Sequence, residues 1–473
     1  MGLTQLSGID ASYLYLETGR SFGHVSSILL FDRPDDPTYN AYEEYRARME
    51  RAVVDFVPLR RRLVEVPFGI DHPYWAEDPD FDLDFHIRHV AVPAPGGAAE
   101  LNALISRLIG RPLDRGKPLW EAYVIEGLEN DRFALFTKMH HATIDGAAGA
   151  MLTHQMFTEG ELLDLREDAP PMPKGDRIPP PNEVLGRAMI DLARRPARMI
   201  RWQRKFIQSA IQAGRSEDRG KLTSALQGVP RTPFNHAITA NRRFTWRSIP
   251  LDDIKAIKTA LGCTVNDVVM AMCAGALRRY LLEHDALPED PLVAMVPVSI
   301  RTGEEEDPWT NRVSSIFAAI PTNEADAAAR ITAVGTTMAD GKKRHDLLPA
   351  DLLVDIASLA PGRLAMQAAR LATNPRVAES APQPANVVIS NVPGPREPLT
   401  MGGAVVRHYV PVSTIVDGQG LNITVQSYCD TLDLGLVACR ELVPDLEHLI
   451  DLHLEELDVL RTLAGIGAVD TDA

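Results

Sequence analysis

A chain of 473 residues, 45% hydrophobic and 24% charged, is long enough for two domains with their own cores. Its formal charge of -15 excludes a general nucleic-acid binder, which needs a strong basic surface, but leaves local lipid contacts open. Cys263, Cys273, Cys429 and Cys439 form neither a disulfide framework nor a CxxC pair, no basic-plus-apolar leader opens the sequence, and no run of 18 apolar residues occurs. A reduced, cytoplasmic chain that does not span a bilayer is expected.

Residues 7–17 begin with a turn and continue as DASYLYLE, with Asp10 placed to start a helix. Residues 24–30 have the character of a strand, and residues 39–55 that of a helix with Tyr42, Tyr45, Met49 and Val53 on one face. Arg48, Arg51, Arg60, Arg61 and Arg62 suggest a solvated basic face, with contact to a phosphorylated cofactor as the weaker reading. FDLDFHIRHV alternates apolar and polar residues and predicts a strand. A helix over 100–110 precedes RPLDRGKPLW, where Pro112, Pro118, Leu119 and Trp120 make a rigid turn into a strand at 121–126.

The next strand, at 133–139, runs into His140, His141, Asp145 and Gly146, an HHxxxDG pattern that leads on to a packed helix. Polar side chains at the exit of a buried strand are paired in a core or exposed in a loop. An imidazole can take a proton from a hydroxyl and return one to a leaving group. His141 lies closer to the turn and is the candidate base, whereas His140 can lock the strand end. Asp145 can orient His141 or hold the loop through a distant basic residue. Adjacent histidines lack the spacing of a zinc helix, and no Cys or Glu joins them, so no metal site is expected. On spacing alone, strand-capping core histidines and a catalytic pair weigh about evenly.

PPMPKGDRIPPP, at 170–181, cannot hold a regular element. A long helix candidate follows at 183–212, with seven basic residues against one acid between Arg187 and Lys205. Such a helix can lie on an anionic membrane or lipid droplet, or face water or an acidic domain; Pro196 weakens its continuity. A strand is expected at 244–249, then a helix at 251–261 and another opened by Thr264, with Asp267 completing a capping box and Asn266 beside it. Strands at 292–298 and 311–320 flank an acidic loop at 302–308, and a helix covers 324–342. The apolar stretch 346–371 suits either a greasy tunnel or plain core. A strand at 385–390 runs into the stiff turn NVPGP, which fits a domain bridge. Strands at 404–409, 421–428 and 434–438 and a helix at 444–460 complete the chain. This pattern is a two-domain α/β sandwich with domains at 1–160 and 236–465 and a linker at 161–235.

SGIDASYLYLE, RPLDRGKPLW, HHATIDG, VNDVV and ISNVPGP occur in that order and together cover nearly the whole chain. In kind and order they resemble the bacterial wax ester synthase/diacylglycerol acyltransferase family. That family belongs to the CoA-dependent acyltransferase superfamily, with peptide-synthetase condensation domains as relatives. The resemblance implies a chloramphenicol acetyltransferase-like sandwich, His141 as general base, a mainly structural Asp145, and Gly146 for close packing. It also implies that Pro118, Leu119 and Trp120 sit beside the acyltransfer site, with Asn266 and Asp267 near it.

Long-chain acyl-CoA is then the co-substrate, with no permanently bound cofactor, and the acceptor is a fatty alcohol, a diacylglycerol or both. No Ser in an elbow motif or paired reactive Cys calls for an acyl-enzyme. Condensation from a carrier-protein thioester and a non-catalytic lipid-binding protein are the alternatives. The expected location is cytoplasmic, with peripheral contact at the inner membrane or a lipid-droplet surface as an option.

Overall fold

The computed structural model describes residues 3–144, 146–157, 172–194, 229–300, 311, 313–346, 362–372, 374, 379 and 383–467. Asp145, the basic segment beyond residue 194, the acidic loop at 302–308 and residues 347–361 of the apolar stretch lie outside the described residues.

The first half is built by local caps and buried stripes. β1 (Thr4–Gln5) leads into α1 (Gly8–Tyr15), where the Ser7 hydroxyl accepts the Asp10 amide at 3.1 Å. β2 (His24–Asp32) precedes α2 (Ala41–Asp55), which is capped by the Asn40 side chain and buries Tyr45, Met49 and Val53. The basic face expected here is partly internal. Arg48 is buried and donates to the Met156 carbonyl at 2.9 Å; Arg60 is buried between Glu77 at 3.0 Å and the Val54 carbonyl at 2.6 Å. The last carbonyls of a helix need donors, and a guanidinium satisfies several at once.

β3 (Arg61–Val64) and β4 (Tyr74–Glu77) join β1 in a small sheet of order β1-β4-β3. The strand predicted over FDLDFHIRHV is half helical: α3 (Leu83–His86) is a single turn, and only β5 (Ile87–Ala91) is extended. The Asp82 side chain caps that turn by accepting the Asp84 amide at 3.1 Å, and the His86 ring stacks 4.3 Å from Trp120. A local cap and one aromatic contact outweigh the alternation. α4 (Ala98–Ile109), β6 (Trp120–Glu126), β7 (Arg132–His140) and α5 (Gly146–Phe157) follow, and residues 181–194 are helical.

In the second half, β8 (Arg242–Pro250) runs directly into helix Leu251–Leu261. Helix Val265–Glu283 starts with the predicted box: Thr264 accepts the Asp267 amide at 3.1 Å, and Asp267 accepts the Thr264 amide at 2.9 Å. β9 (Leu292–Ser299), β10 (Val313–Ile320), helix Ala327–Asp346, helix Gly362–Ala372 and β11 (Val387–Val392) come next. β12 (Thr400–Met401), β13 (Ala404–Val412), β14 (Leu421–Tyr428), β15 (Thr431–Cys439) and helix Leu446–Leu463 complete the described chain.

Two six-stranded sheets result, ordered β12-β13-β2-β7-β6-β5 and β10-β9-β11-β14-β15-β8. β7 is central in the first, and Phe133 to Phe136 are fully buried, as a strand covered on both faces requires. The contiguous second domain expected at 236–465 does not stay in one sheet, because β12 and β13 cross over and β13 pairs with β2. NVPGP makes the crossing. A Cβ at Gly394 would lie 2.0 Å from the Ser427 carbonyl oxygen, so only glycine lets the two backbones pass that closely. Ile28, Phe136 and Val410 of the first sheet share one buried cluster with Phe244 and Val437 of the second. Among the described residues, no single helix is long and apolar enough to cross a membrane.

Candidate active site

Alternation along β7 sends its last residues to opposite faces. Thr137, Met139 and His141 line a cavity of about 700 Å³ between the two sheets, whereas His140 points to the other side and is fully buried. The backbone around the two histidines is held from three directions: His140 N–H donates to Leu119 O at 2.9 Å, His141 N–H to Gly23 O at 2.8 Å, and Thr143 N–H to His140 O at 2.9 Å.

His140 is a structural post. Its Nδ1 accepts the Ala142 amide at 3.0 Å, so in the neutral ring the proton sits on Nε2, which faces Glu17 Oε1 at 3.2 Å. Glu17 also accepts the Gly23 amide at 2.8 Å and the Arg115 guanidinium at 2.8 and 3.2 Å. Burial pushes the Glu17 carboxyl up, but His140, the Gly23 amide and Arg115 together outweigh it and hold the group down at about 2. A Cβ at Gly23 would come 2.7 Å from His140 Nε2, so glycine is required where the chain passes this post.

His141 is half-buried and clamped as a ring. Tyr13 of α1 stacks on it with centroids 4.3 Å apart and planes within 3°. Its Nδ1 lies 3.3 Å from Asn311 Oδ1, and Asn311 also donates to the His141 carbonyl and, at 2.6 Å, to Asp10 Oδ1. Asn311 lies two residues before β10, so a residue of the second half holds a side chain of the first.

The other expected site residues separate by role. Trp120 lines the cavity, its indole N–H donating to Leu59 O at 2.7 Å. Leu119 and Pro118 are buried behind it, Leu119 holding His140 through its carbonyl and Pro118 accepting the Trp120 amide at 2.9 Å. Asn266 lines the cavity, whereas the Asp267 carboxylate accepts the Thr264 amide and hydroxyl within the capping box. Gly146 is the first residue of α5, and Asp145 lies outside the described residues. Tyr13, Glu17 and Asn311 were not singled out in the sequence. The first two fall in a flagged stretch, and Asn311 looked like an ordinary strand start.

The cavity is mainly apolar. Leu29, Met49, Leu152, Met156 and Phe157 line the part beneath α2 and α5; Val296, Val298 and Ile316 line the part against the second sheet. Pockets of this size and character hold small apolar ligands with a few polar contacts.

Residues 6–269 match the model of the wax ester synthase/diacylglycerol acyltransferase catalytic domain, and residues 309–461 match that family's C-terminal domain. The chain belongs to this family. A probable diacylglycerol O-acyltransferase of Mycobacterium tuberculosis is 38% identical to it over 462 residues, covering 97% of this chain and 98% of that one. An O-acyltransferase of Acinetobacter baylyi is 34% identical, covering 95% of each chain. The wax ester synthase/diacylglycerol acyltransferase of Marinobacter aquaeolei has a solved structure that is 32% identical, with a TM-score of 0.68 over 98% of this chain and 100% of that one. The first condensation domain of the CDA synthetase, 19% identical, covers 100% of this chain and 99% of that one with a TM-score of 0.58, which marks a shared CoA-dependent acyltransferase-like fold.

Proposed function

We propose that this O-acyltransferase moves a long-chain acyl group from an acyl-CoA thioester to the hydroxyl of a fatty alcohol or diacylglycerol, with His141 as the general base. The observation that carries this reading is a clamped imidazole opening on an apolar cavity built from both sheets. His141 takes the hydroxyl proton as the oxygen attacks the thioester carbonyl. The tetrahedral intermediate collapses, the C–S bond breaks, and the imidazolium returns its proton to the thiolate, giving ester and free CoA. From His141 back along β7 to Leu135, which pairs with Leu29, is six residues, or about 20 Å of strand, which suits a long chain lying beneath α5.

The protein is proposed to act in the cytoplasm with peripheral contact at an anionic lipid surface. Helix 181–194 supports this by exposing Met189 and Ile190 together with Arg187 and Arg194. The test of function is thiol release from palmitoyl-CoA with hexadecanol or dipalmitoylglycerol offered separately. Acceptor-dependent release with the matching ester supports the reading. Absence of ester with either acceptor, despite acyl-CoA binding, would overturn it.

A further inference from the structure

Asn311 is almost fully buried and stands between a carboxylate and the candidate base. The Asp10 carboxyl oxygen Oδ1 and the His141 carbonyl both accept from the Asn311 amide nitrogen. Those two acceptors decide which way the Asn311 amide points. Its Oδ1 is thereby turned toward His141 Nδ1 at 3.3 Å, and an amide oxygen there demands a proton on Nδ1. Asp10 is itself held in place, because its other oxygen accepts the Ser7 hydroxyl at 2.7 Å.

We infer that Asn311, oriented by Asp10, is a positioning residue that fixes the His141 imidazole in the Nδ1–H tautomer. The lone pair is then on Nε2, the atom that must take the acceptor's proton. This rests on the reading of His141 as the base. It assigns that base an Asp10–Asn311–His141 chain drawn from α1, the approach to β10 and the exit of β7. In hydrolases built on a histidine base, leaving the imidazole in the wrong tautomer abolishes most of the rate although the geometry persists. The neutral Asn311 amide orients the ring without placing a charge against it. Because Asn311 comes from the second half of the chain, the base is correctly set only when the two halves are assembled.

The test is a two-bond ¹H–¹⁵N correlation spectrum of the full chain labelled at histidine, with His141 assigned by its loss in His141→Ala. A single Nδ1–H tautomer for His141 is expected. Asn311→Ala should let the Nε2–H form appear and lower kcat by about 10–100-fold, with KM changed by less than about threefold, as for other partners one shell from the chemistry. Asn311→Asp keeps an acceptor oxygen but sets it against Asp10 Oδ1 and the His141 carbonyl, which lose their donor, so it should not restore kcat. An Nε2–H tautomer in the unmodified protein would overturn the inference. So would an Asn311→Ala protein with unchanged tautomer and kcat. The spectrum needs no substrate, so it can fail while ester formation succeeds, and the reverse.

Discussion

Replacing Glu17 with Gln tests whether the post behind the candidate base is electrostatic. A carboxyl held at about 2 instead of 4.5 favours the folded state by about 3 kcal/mol at neutral pH, at about 1.4 kcal/mol per pH unit. Because the folded value is the depressed one, this stability is complete above pH 4.5 and is lost as pH falls toward 2. By pH 3 roughly 1.4 kcal/mol of it remains. Gln preserves the shape but not the acceptor count. Either its NH₂ faces the Arg115 guanidinium, or it faces His140 Nε2 and the Gly23 amide, so one side always sets donor against donor. Urea unfolding followed by tryptophan fluorescence should therefore show Glu17→Gln less stable by about 2–3 kcal/mol at pH 7, with the gap shrinking to about 1 kcal/mol at pH 3. A gap below about 0.5 kcal/mol at pH 7, or one that does not change with pH, would refute the reasoning.

The two histidines should respond differently to truncation. His141→Ala should lower kcat by about 10²–10⁴-fold with an unchanged melting temperature, whereas His140→Ala should lower the melting temperature as well, since Glu17 and the Ala142 amide lose their partner. Equal melting of the two variants would argue against His140 as a post. Gly394→Ala should cost about 1–3 kcal/mol in denaturant unfolding, because the added methyl meets the Ser427 carbonyl at 2.0 Å; a neutral result would mean that the crossing turn can shift. On lipid, the protein should float with phosphatidylglycerol vesicles at low salt, and a Met189→Asp/Ile190→Asp variant should not. Equal flotation of both proteins would remove helix 181–194 from the contact.

Much of the framework is written locally. Thr264 and Asp267 announce a helix start by chemistry that acts over three residues, and the structure places the box there. Helix Leu251–Leu261 ends where Gly262 adopts φ 65°, a conformation that glycine reaches without strain. What sequence reasoning missed is set by partners far along the chain. Arg48 and Arg60 sit in a helix and its exit that look solvated, yet helix-end carbonyls and Glu77 draw them inside. Asp82 caps a turn inside a stretch whose alternation reads as strand. In each case a polar group made the decisive contact, and apolar periodicity does not register it.

The site shows the same division at higher resolution. Two adjacent histidines at the end of a strand must face opposite ways, so different roles for His140 and His141 follow from the pleat alone. Which face becomes the cavity does not. That depends on the second half of the chain, which supplies Asn266 from helix Val265–Glu283 and Val296 from β9 as lining and, just before β10, the Asn311 contact. It depends equally on β13 leaving that sheet to pair with β2, a pairing between residues such as Val410 and Ile28 that lie nearly the whole chain apart. A base of ordinary chemistry thus acquires its setting from contacts that span the two halves. Substitutions at NVPGP, remote from any substrate, should therefore be felt at His141 through the placement of β13.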